Sequence, residues 1–130
     1  MSDLRPSWPN SLWIALLFVF FASSVAHGAE GNLAALVGSW IRPDGGYQLK
    51  VLSIEEDGAA RVEYFNPSPV HVAEAKAEDK DGTVSLYVRL EDEGYPGSRY
   101  RLVLQDNRLV GDYFQATAGQ THQIFFDRAP

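Results

Sequence analysis

The sequence contains no cysteine among its 130 residues. This absence excludes disulfide bonds, so a domain folded from this chain depends on its buried core alone for stability. It also excludes thiol nucleophiles and the lipid-modified cysteine of bacterial lipoproteins. Metal and catalytic sites that depend on thiolates are therefore ruled out from the start.

Common catalytic and metal-binding motifs are also lacking. The chain has no Gly-x-Ser-x-Gly and no His-Glu-x-x-His pattern. Past the N-terminal region only His71 and His122 remain, and two histidines without a third ligand make a poor zinc site. The acidic runs Glu55–Asp57 and Glu91–Glu93 are typical of solvated turns, and they lack the EF-hand calcium spacing. We therefore expect no enzyme activity, no catalytic residue, no metal and no cofactor.

Basic residues are few, with 11 Lys and Arg against 17 Asp and Glu, so the net charge is −6. An acidic surface disfavours binding to nucleic acid and to anionic membranes. Neither is expected as a partner.

The N-terminal region carries the features of an export signal. An uncharged apolar run, Leu12–Ala22, is followed by the small residues of Ser23–Ala26. This order is typical of a secretory signal peptide and its cleavage site. Cleavage is predicted after Ala26, with cleavage after Gly28 or Ala29 as the alternatives.

We accordingly assign residues 1–29 to a signal peptide and residues 30–130 to one domain, located in the periplasm or outside the cell. The apolar run is short for a bilayer span, which takes ~20 residues. However, no charge falls between Arg5 and Glu30, so an uncleaved anchor helix stays open as the alternative. After cleavage no stable membrane insertion is expected.

From Gly31 onward the chain reads as strands and tight turns. Short runs that alternate apolar and polar residues recur at the spacing of all-β folds, and Asp-Gly pairs between them favour hairpins. We predict an all-β, up-and-down antiparallel meander barrel of about eight strands. The predicted strands are Val37–Arg42, Tyr47–Ile54, Ala60–Phe65, Val70–Ala77, Thr83–Glu91, Arg99–Gln105, Arg108–Thr117 and Thr121–Arg128.

Trp40 and Arg128 are predicted to close one end of this barrel. In a closed meander the last strand lies antiparallel to the first, which places Arg128 beside Trp40 with both side chains facing inward. A guanidinium over an indole would form a structural plug by a cation–π contact.

The pattern Gly38-x-Trp40 on the first strand, with Arg128 on the last, resembles the calycin group of lipocalins, fatty-acid-binding proteins and avidins. This resemblance implies a ligand-binding barrel. The chain is nevertheless shorter than a typical lipocalin and lacks its C-terminal helix. Biotin binding of the avidin kind is not expected, because avidin sites use several tryptophans and only Trp40 follows the predicted signal peptide.

Strand parity places the longer connections at the barrel end opposite Trp40, called here the open end. Barrel mouths with long loops are where ligands commonly bind. The alternative is that the Pro- and Gly-rich connections are only good turns, with the inward tyrosines filling the barrel. The candidate ligand-binding residues are Tyr47, Tyr64, Asn66, Ser68, Tyr95, Ser98 and Tyr100.

These features predict a non-enzymatic binding module that holds a small apolar or amphipathic ligand at the open end. A protein-binding module is the alternative, for example an inhibitor of an envelope or host hydrolase that inserts the loops Asn66–Pro69 and Tyr95–Ser98 into its partner. Hydrolase or isomerase activity at the mouth is the weakest candidate. Phe114 and Phe125 are predicted to lie side by side on the outer face and to form a homodimer contact, unless a bulge turns one of them inward.

Overall fold

The computed structural model describes residues 32–130, and the predicted signal peptide lies outside these residues. A helical turn at residues 32–34 leads into nine strands. Within residues 32–130 no helix is long and apolar enough to cross a membrane. The strands are β1 (Gly38–Ile41), β2 (Gln48–Ile54), β3 (Ala60–Phe65), β4 (Pro69–Val70), β5 (Val72–Lys80), β6 (Thr83–Asp92), β7 (Tyr95–Gln105), β8 (Arg108–Gln115) and β9 (Gln120–Arg128).

The strands form one antiparallel sheet in the order β4-β3-β2-β1-β9-β8-β7-β6-β5. The first strand therefore pairs with the last, as a closed meander requires. The chain at the start of β3 meets β5 at a bridge between Ala59 and Lys76, beside a hydrogen bond of 2.7 Å from Ala77 N–H to the Gly58 carbonyl. This side of the barrel, between β3 and β5, is called the seam. The sheet is thus a nearly closed up-and-down barrel, and the predicted fold class is confirmed.

Nine strands replace the predicted eight because the fourth run is divided at His71. Pro69–Val70 pairs with β3, whereas the chain from Val72 onward pairs with β6. The prediction of one strand over Val70–Ala77 was wrong in this respect. Alternation of side chains continues across the break, so the sequence pattern does not reveal the change of partner.

The chain from Tyr95 to Ser98 is part of β7 and not of a loop. Tyr95 and Pro96 pair with the end of β6, which leaves a turn only at residues 93–94. Gly97 has a φ of 87°, and the register shifts opposite it. The glycine therefore accommodates a β-bulge inside the strand, whereas the sequence predicted a turn there.

The interior of the barrel is a packed core. Along β6, Val84, Leu86, Val88 and Leu90 are all buried, while the residues between them are half-buried or exposed. Small barrels of this kind have interiors just wide enough for side chains to fill. The largest fully buried side chains are Trp40, Tyr64, Tyr100 and Phe126.

Trp40 and Arg128 lie at one end of this core. The Arg128 guanidinium carbon is 4.1 Å from the centre of the Trp40 ring, and the indole N–H donates to the Leu36 carbonyl at 2.9 Å. Arg128 also donates to the Ala35 carbonyl at 2.7 Å and to Asn107 Oδ1 at 2.9 Å. The arginine therefore joins the N-terminal helical turn, β9 and the turn after β7, and this end is capped.

The two phenylalanines on the outer face are not neighbours, so that prediction was wrong. Phe114 lies opposite Thr121 and Phe125 lies opposite Val110, because the turn after Gln115 sets the register of β8 and β9. Four residues along a strand span ~13 Å. Each ring is instead covered by an arginine, Arg99 in one case and Arg108 in the other. A homodimer through these residues stays a prediction.

The contact between Trp40 and Arg128 can be measured by a double-mutant cycle. Trp40→Leu keeps apolar bulk but removes the π face, and Arg128→Gln removes the charge. We expect the double variant to lose ~0.5–2 kcal/mol less unfolding free energy than the sum of the single losses, measured by chemical denaturation. Trp40→Leu combined with Arg61→Gln, an exposed position on β3, is the additive control. Additive losses for Trp40 and Arg128 would contradict the contact.

Gly111 on β8 is required for the close approach of β7. A Cβ atom at this position would clash with the Arg101 carbonyl oxygen, whereas one at Gly46 would meet nothing within 4 Å. We expect Gly111→Ala to lower the free energy of unfolding by ~1–3 kcal/mol, because the backbone must shift. Gly46→Ala serves as the matched control and should change it by less than ~0.5 kcal/mol. Equal stabilities for the two variants would show that the strands are not this close.

Candidate functional site

The open end carries a cup of about 420 Å³ between the connections that follow β1, β3 and β6 and the neighbouring ends of β8 and β9. Polar and aromatic side chains form most of its wall. The lining residues are Arg42, Asp44, Tyr47, Asn66, Gly94, Tyr95, Tyr113, Gln115, His122, Gln123 and Ile124.

Arg42 forms the floor of the cup and is 6% exposed. Its Nε and Nη2 atoms donate to the two carboxylate oxygens of Asp44 at 2.9 and 2.6 Å. Its Nη1 atom donates to the Tyr100 hydroxyl at 2.8 Å. The buried charge thus has a two-pronged ion pair and a further hydrogen bond, which is the arrangement that a buried guanidinium needs.

The chain between β1 and β2 explains how this arginine is placed. Arg42 directly follows β1 and shares the inward phase of Trp40 two residues earlier. The Arg42 N–H donates to the Tyr47 carbonyl at 3.1 Å and closes the loop. Asp44, two residues after Arg42, is thereby turned back onto the guanidinium. A short loop between two strands therefore supplies both members of the ion pair.

Tyrosine rings surround the Arg42 guanidinium. Its central carbon is 4.0 Å from the centre of the Tyr47 ring, 5.7 Å from that of Tyr113 and 6.0 Å from that of Tyr100. Contacts of this kind stabilise a desolvated cation by ~2 kcal/mol. Arg42 therefore fills an aromatic cage and separates the cup from the packed core.

A chain of hydroxyl groups extends beneath the floor. The Tyr100 hydroxyl bonds to the Tyr64 hydroxyl at 2.8 Å, and the Tyr64 ring meets the edge of Tyr95 with a centroid separation of 6.3 Å. Asn66 Nδ2 donates to the Tyr95 hydroxyl at 2.5 Å. These contacts fix the orientation of Tyr95 on the wall of the cup.

The charges at the floor are held in their ionised forms. Burial alone would lower the pKa of Arg42, but its hydrogen bonds to Asp44 and Tyr100 outweigh burial and raise it. The hydrogen bond from Arg42 lowers the pKa of Asp44. The pair therefore stays charged at neutral pH with no net charge. Burial raises the pKa of Tyr64, Tyr100 and Tyr113, so their hydroxyls stay protonated.

The predicted tyrosines and asparagine of the site fall into two groups. Tyr47, Asn66 and Tyr95 line the cup. Tyr64 and Tyr100 are buried beneath it, at 1% and 0% exposure.

The two serines occupy contrasting positions. Ser98 is fully buried, and its Oγ accepts the Ala116 N–H at 3.0 Å. Ser68 is exposed in the connection after β3, outside the residues that line the cup. Ser98 is thus placed for a role in packing, and Ser68 for contact with the surroundings.

Sequence reasoning missed Arg42 and Asp44, the central pair of the site, as well as Gln115, His122 and Gln123. Arg42 lies two residues after Trp40 and therefore faces inward as Trp40 does. This alternation is the sequence signal that could have identified Arg42. The position of Asp44 could not be read in the same way, because loop residues follow no alternation.

A larger depression of about 680 Å³ lies on the barrel wall formed by β5 to β8, lined in part by Lys76, Tyr87 and Arg101. This depression lies on the surface of regular β-sheet. The guanidinium carbon of Arg101 is 5.0 Å from the centre of the Tyr87 ring there. By contrast, Arg42 and Ser98 are the buried polar side chains of residues 32–130, and both lie at the open end. The pKa values of Arg42, Tyr100 and Tyr113 are also perturbed at this end, and perturbed groups in a cleft indicate a functional site, so we take the cup as the candidate site.

Metal binding has no visible site in this part of the chain. Among residues 32–130 no group of three or more His, Cys, Asp or Glu side chains lies close enough to hold a metal ion. In the cup, His122 contacts Gln115 at 3.2 Å.

Comparison with known proteins yields no assignment: no family model matches the chain, and no curated protein or solved structure is significantly similar to it. Fold and site therefore define only a class. The protein is a small antiparallel barrel with a packed interior, one end capped by Arg128 and a polar, aromatic cup at the other.

The three buried tyrosines predict a loss of stability at alkaline pH. Their pKa values are raised in the folded state, so the folded protein holds these protons more tightly than the unfolded chain. The contribution of these tyrosines to the free energy of unfolding should stay constant up to pH ~10, where free tyrosine ionises, and should be lost progressively above it. Tyr64→Phe should flatten this decline in denaturation curves recorded at increasing pH. Trp40→Leu, which removes no phenol, should not, and an unchanged slope in Tyr64→Phe would contradict the assignment.

Proposed function

We propose that the protein is an exported, non-enzymatic binding module that holds a small amphipathic ligand in the cup. The observation that carries this proposal is the buried Arg42 at the floor. A buried arginine with an ion-pair partner is weak evidence for stability, because apolar side chains of similar volume commonly stabilise a core equally well. A preformed cavity with aromatic walls and a few polar groups at fixed positions is the usual form of a small-molecule site.

The calycin resemblance supports the same proposal. Lipocalin-like barrels have one closed end and bind their ligands from the other, and here Arg128 caps one end while the cup opens at the other. This chain differs in one respect, since its interior is filled by side chains such as Tyr64 and Tyr100. The ligand would therefore rest on Arg42, the floor of the cup, and would not enter the barrel. A polar floor favours an amphipathic ligand over a purely apolar one.

A binding role also fits the chemistry of the cup better than catalysis does. The buried Ser98 hydroxyl is held by the Ala116 N–H and has no histidine among its hydrogen-bond partners. His122 contacts the amide oxygen of Gln115 and not a nucleophile. Neither residue thus forms the pair of nucleophile and base that covalent catalysis uses.

The first test is native mass spectrometry of the protein purified from its own host, followed by an amide-shift titration with any molecule that accompanies it. We expect a small bound molecule and shifts at the cup. Asn66→Ala should weaken binding because it releases the Tyr95 hydroxyl from its hydrogen bond. Glu56→Gln, an exposed turn position at the capped end, is the matched control and should bind normally. Shifts confined to the turns at residues 55–59 and 106–107 would refute the proposal.

A protein partner is the second candidate, favoured by the exposure of Pro67, Ser68 and Pro69 at the open end. Two prolines stiffen this connection, which lowers the entropic cost of inserting it into a partner. An inhibitor of an envelope or host hydrolase would use such a tip. In that case a second protein chain would accompany the purified protein. Amide shifts would then centre on residues 67–69, and the residues of the cup would show none.

A further inference from the structure

We infer that the ligand of the cup is a neutral saccharide. This inference rests on the proposed function, since it names the chemical class that the same cup recognises. It depends on three properties of the cup: its charge balance, its mixture of hydrogen-bond donors and acceptors, and its aromatic wall.

The charge balance disfavours ionic ligands. Arg42 is already bound by both oxygens of Asp44, and the Asp44 side chain lines the cup and is 57% exposed. An anion approaching the guanidinium would meet this carboxylate first. A cation would find the aromatic cage of Tyr47, Tyr100 and Tyr113 filled by Arg42. The cup is therefore polar without a free charge of either sign at its floor.

Donors and acceptors lie side by side at this floor. Arg42 has more N–H groups than its bonds to Asp44 and Tyr100 use, and the exposed Asp44 carboxylate has further lone pairs. Asn66 uses its amide N–H on Tyr95, which leaves its carbonyl oxygen to accept. A hydroxyl group both donates and accepts, so neighbouring hydroxyls of a sugar match an Arg–Asp pair. A carboxylate, which only accepts, does not.

The aromatic wall supplies the second half of saccharide recognition. Tyr95 is half-buried on the wall and is held in place by Asn66 at its hydroxyl and by Tyr64 at its ring. A pyranose ring has C–H groups on its faces and hydroxyls around its rim, so it is amphipathic in the same sense as tyrosine. Its face can pack on Tyr95 while its rim reaches Arg42 and Asp44. The cup, at about 420 Å³, lies in the range of ~300–1,000 Å³ typical of small-molecule sites.

The test is an amide-shift titration of the mature protein with free N-acetylglucosamine, its β-1,4 dimer, cellobiose and maltose. We expect at least one saccharide to bind with a dissociation constant of ~1 mM or tighter and to shift residues of the cup. Sodium benzoate and sodium hexanoate, as anionic probes with apolar bodies, should leave the cup unshifted.

Variants distinguish the saccharide from other ligands. Asp44→Asn removes the carboxylate acceptor and frees the guanidinium, so we expect about tenfold weaker saccharide binding, ~1.4 kcal/mol, together with new binding of benzoate. Tyr95→Leu should weaken saccharide binding to a similar degree through loss of the ring face. Glu56→Gln is the control and should bind as the unaltered protein does. If Asp44→Asn does not fold, Gln115→Ala, on the cup wall, replaces it and should also weaken binding.

Failure of the inference is separable from failure of the proposed function. If no saccharide in the panel shifts the cup at concentrations of ~10 mM, the saccharide inference is overturned. Binding of benzoate or hexanoate in the cup under the same conditions would then leave the binding module intact with another ligand class. If no probe shifts the cup and no small molecule accompanies the protein from its host, the proposed function is overturned as well.

Discussion

An arginine stacked on aromatic rings closes the interior at each end of this barrel, and the rest of the structure depends on that closure. Arg128 lies over Trp40 at one end, and Arg42 lies within the tyrosine cage at the other. A domain of about 100 residues without disulfides has only its core for stability, and water entering either end would reduce it. The arginine side chain is long and ends in a flat guanidinium group. It can therefore close an end of the barrel and still form hydrogen bonds to carbonyl or carboxylate oxygens.

The two ends use the same chemistry for different results. Arg128 bonds to backbone carbonyls of Ala35 and Val37, so its cap belongs to the scaffold. Arg42 bonds to a side chain, Asp44, on a short loop with two following glycines. The carboxylate side of that pair faces the cup. The same interaction therefore serves only to close the barrel at one end, and at the other it also shapes a surface that a ligand can contact.

Much of this architecture was readable from the sequence, because it follows from alternation and strand parity. The antiparallel meander, the meeting of Trp40 with Arg128 and the location of Tyr47, Asn66 and Tyr95 at the open end all follow from the inward phase of the strands. Features that depend on the exact register of strand pairing could not be predicted from this alternation. Phe114 and Phe125 were placed together because parity fixes which face a residue occupies but not its height along the strand. The pairing of Asp44 with Arg42 was missed because a loop has no periodicity to extrapolate.

The seam between β3 and β5 gives the barrel an asymmetry around its circumference. Every other pair of adjacent strands is joined by a ladder of hydrogen bonds, whereas this pair meets at the one bridge between Ala59 and Lys76. Local opening there breaks few bonds, and such low-cost openings dominate the fluctuations of a native protein. Water and exchanging protons would then reach the core through its side, although both of its ends are capped. The molecule is accordingly a rolled sheet, and the join between β3 and β5 is the part of its wall that the fewest backbone hydrogen bonds hold together.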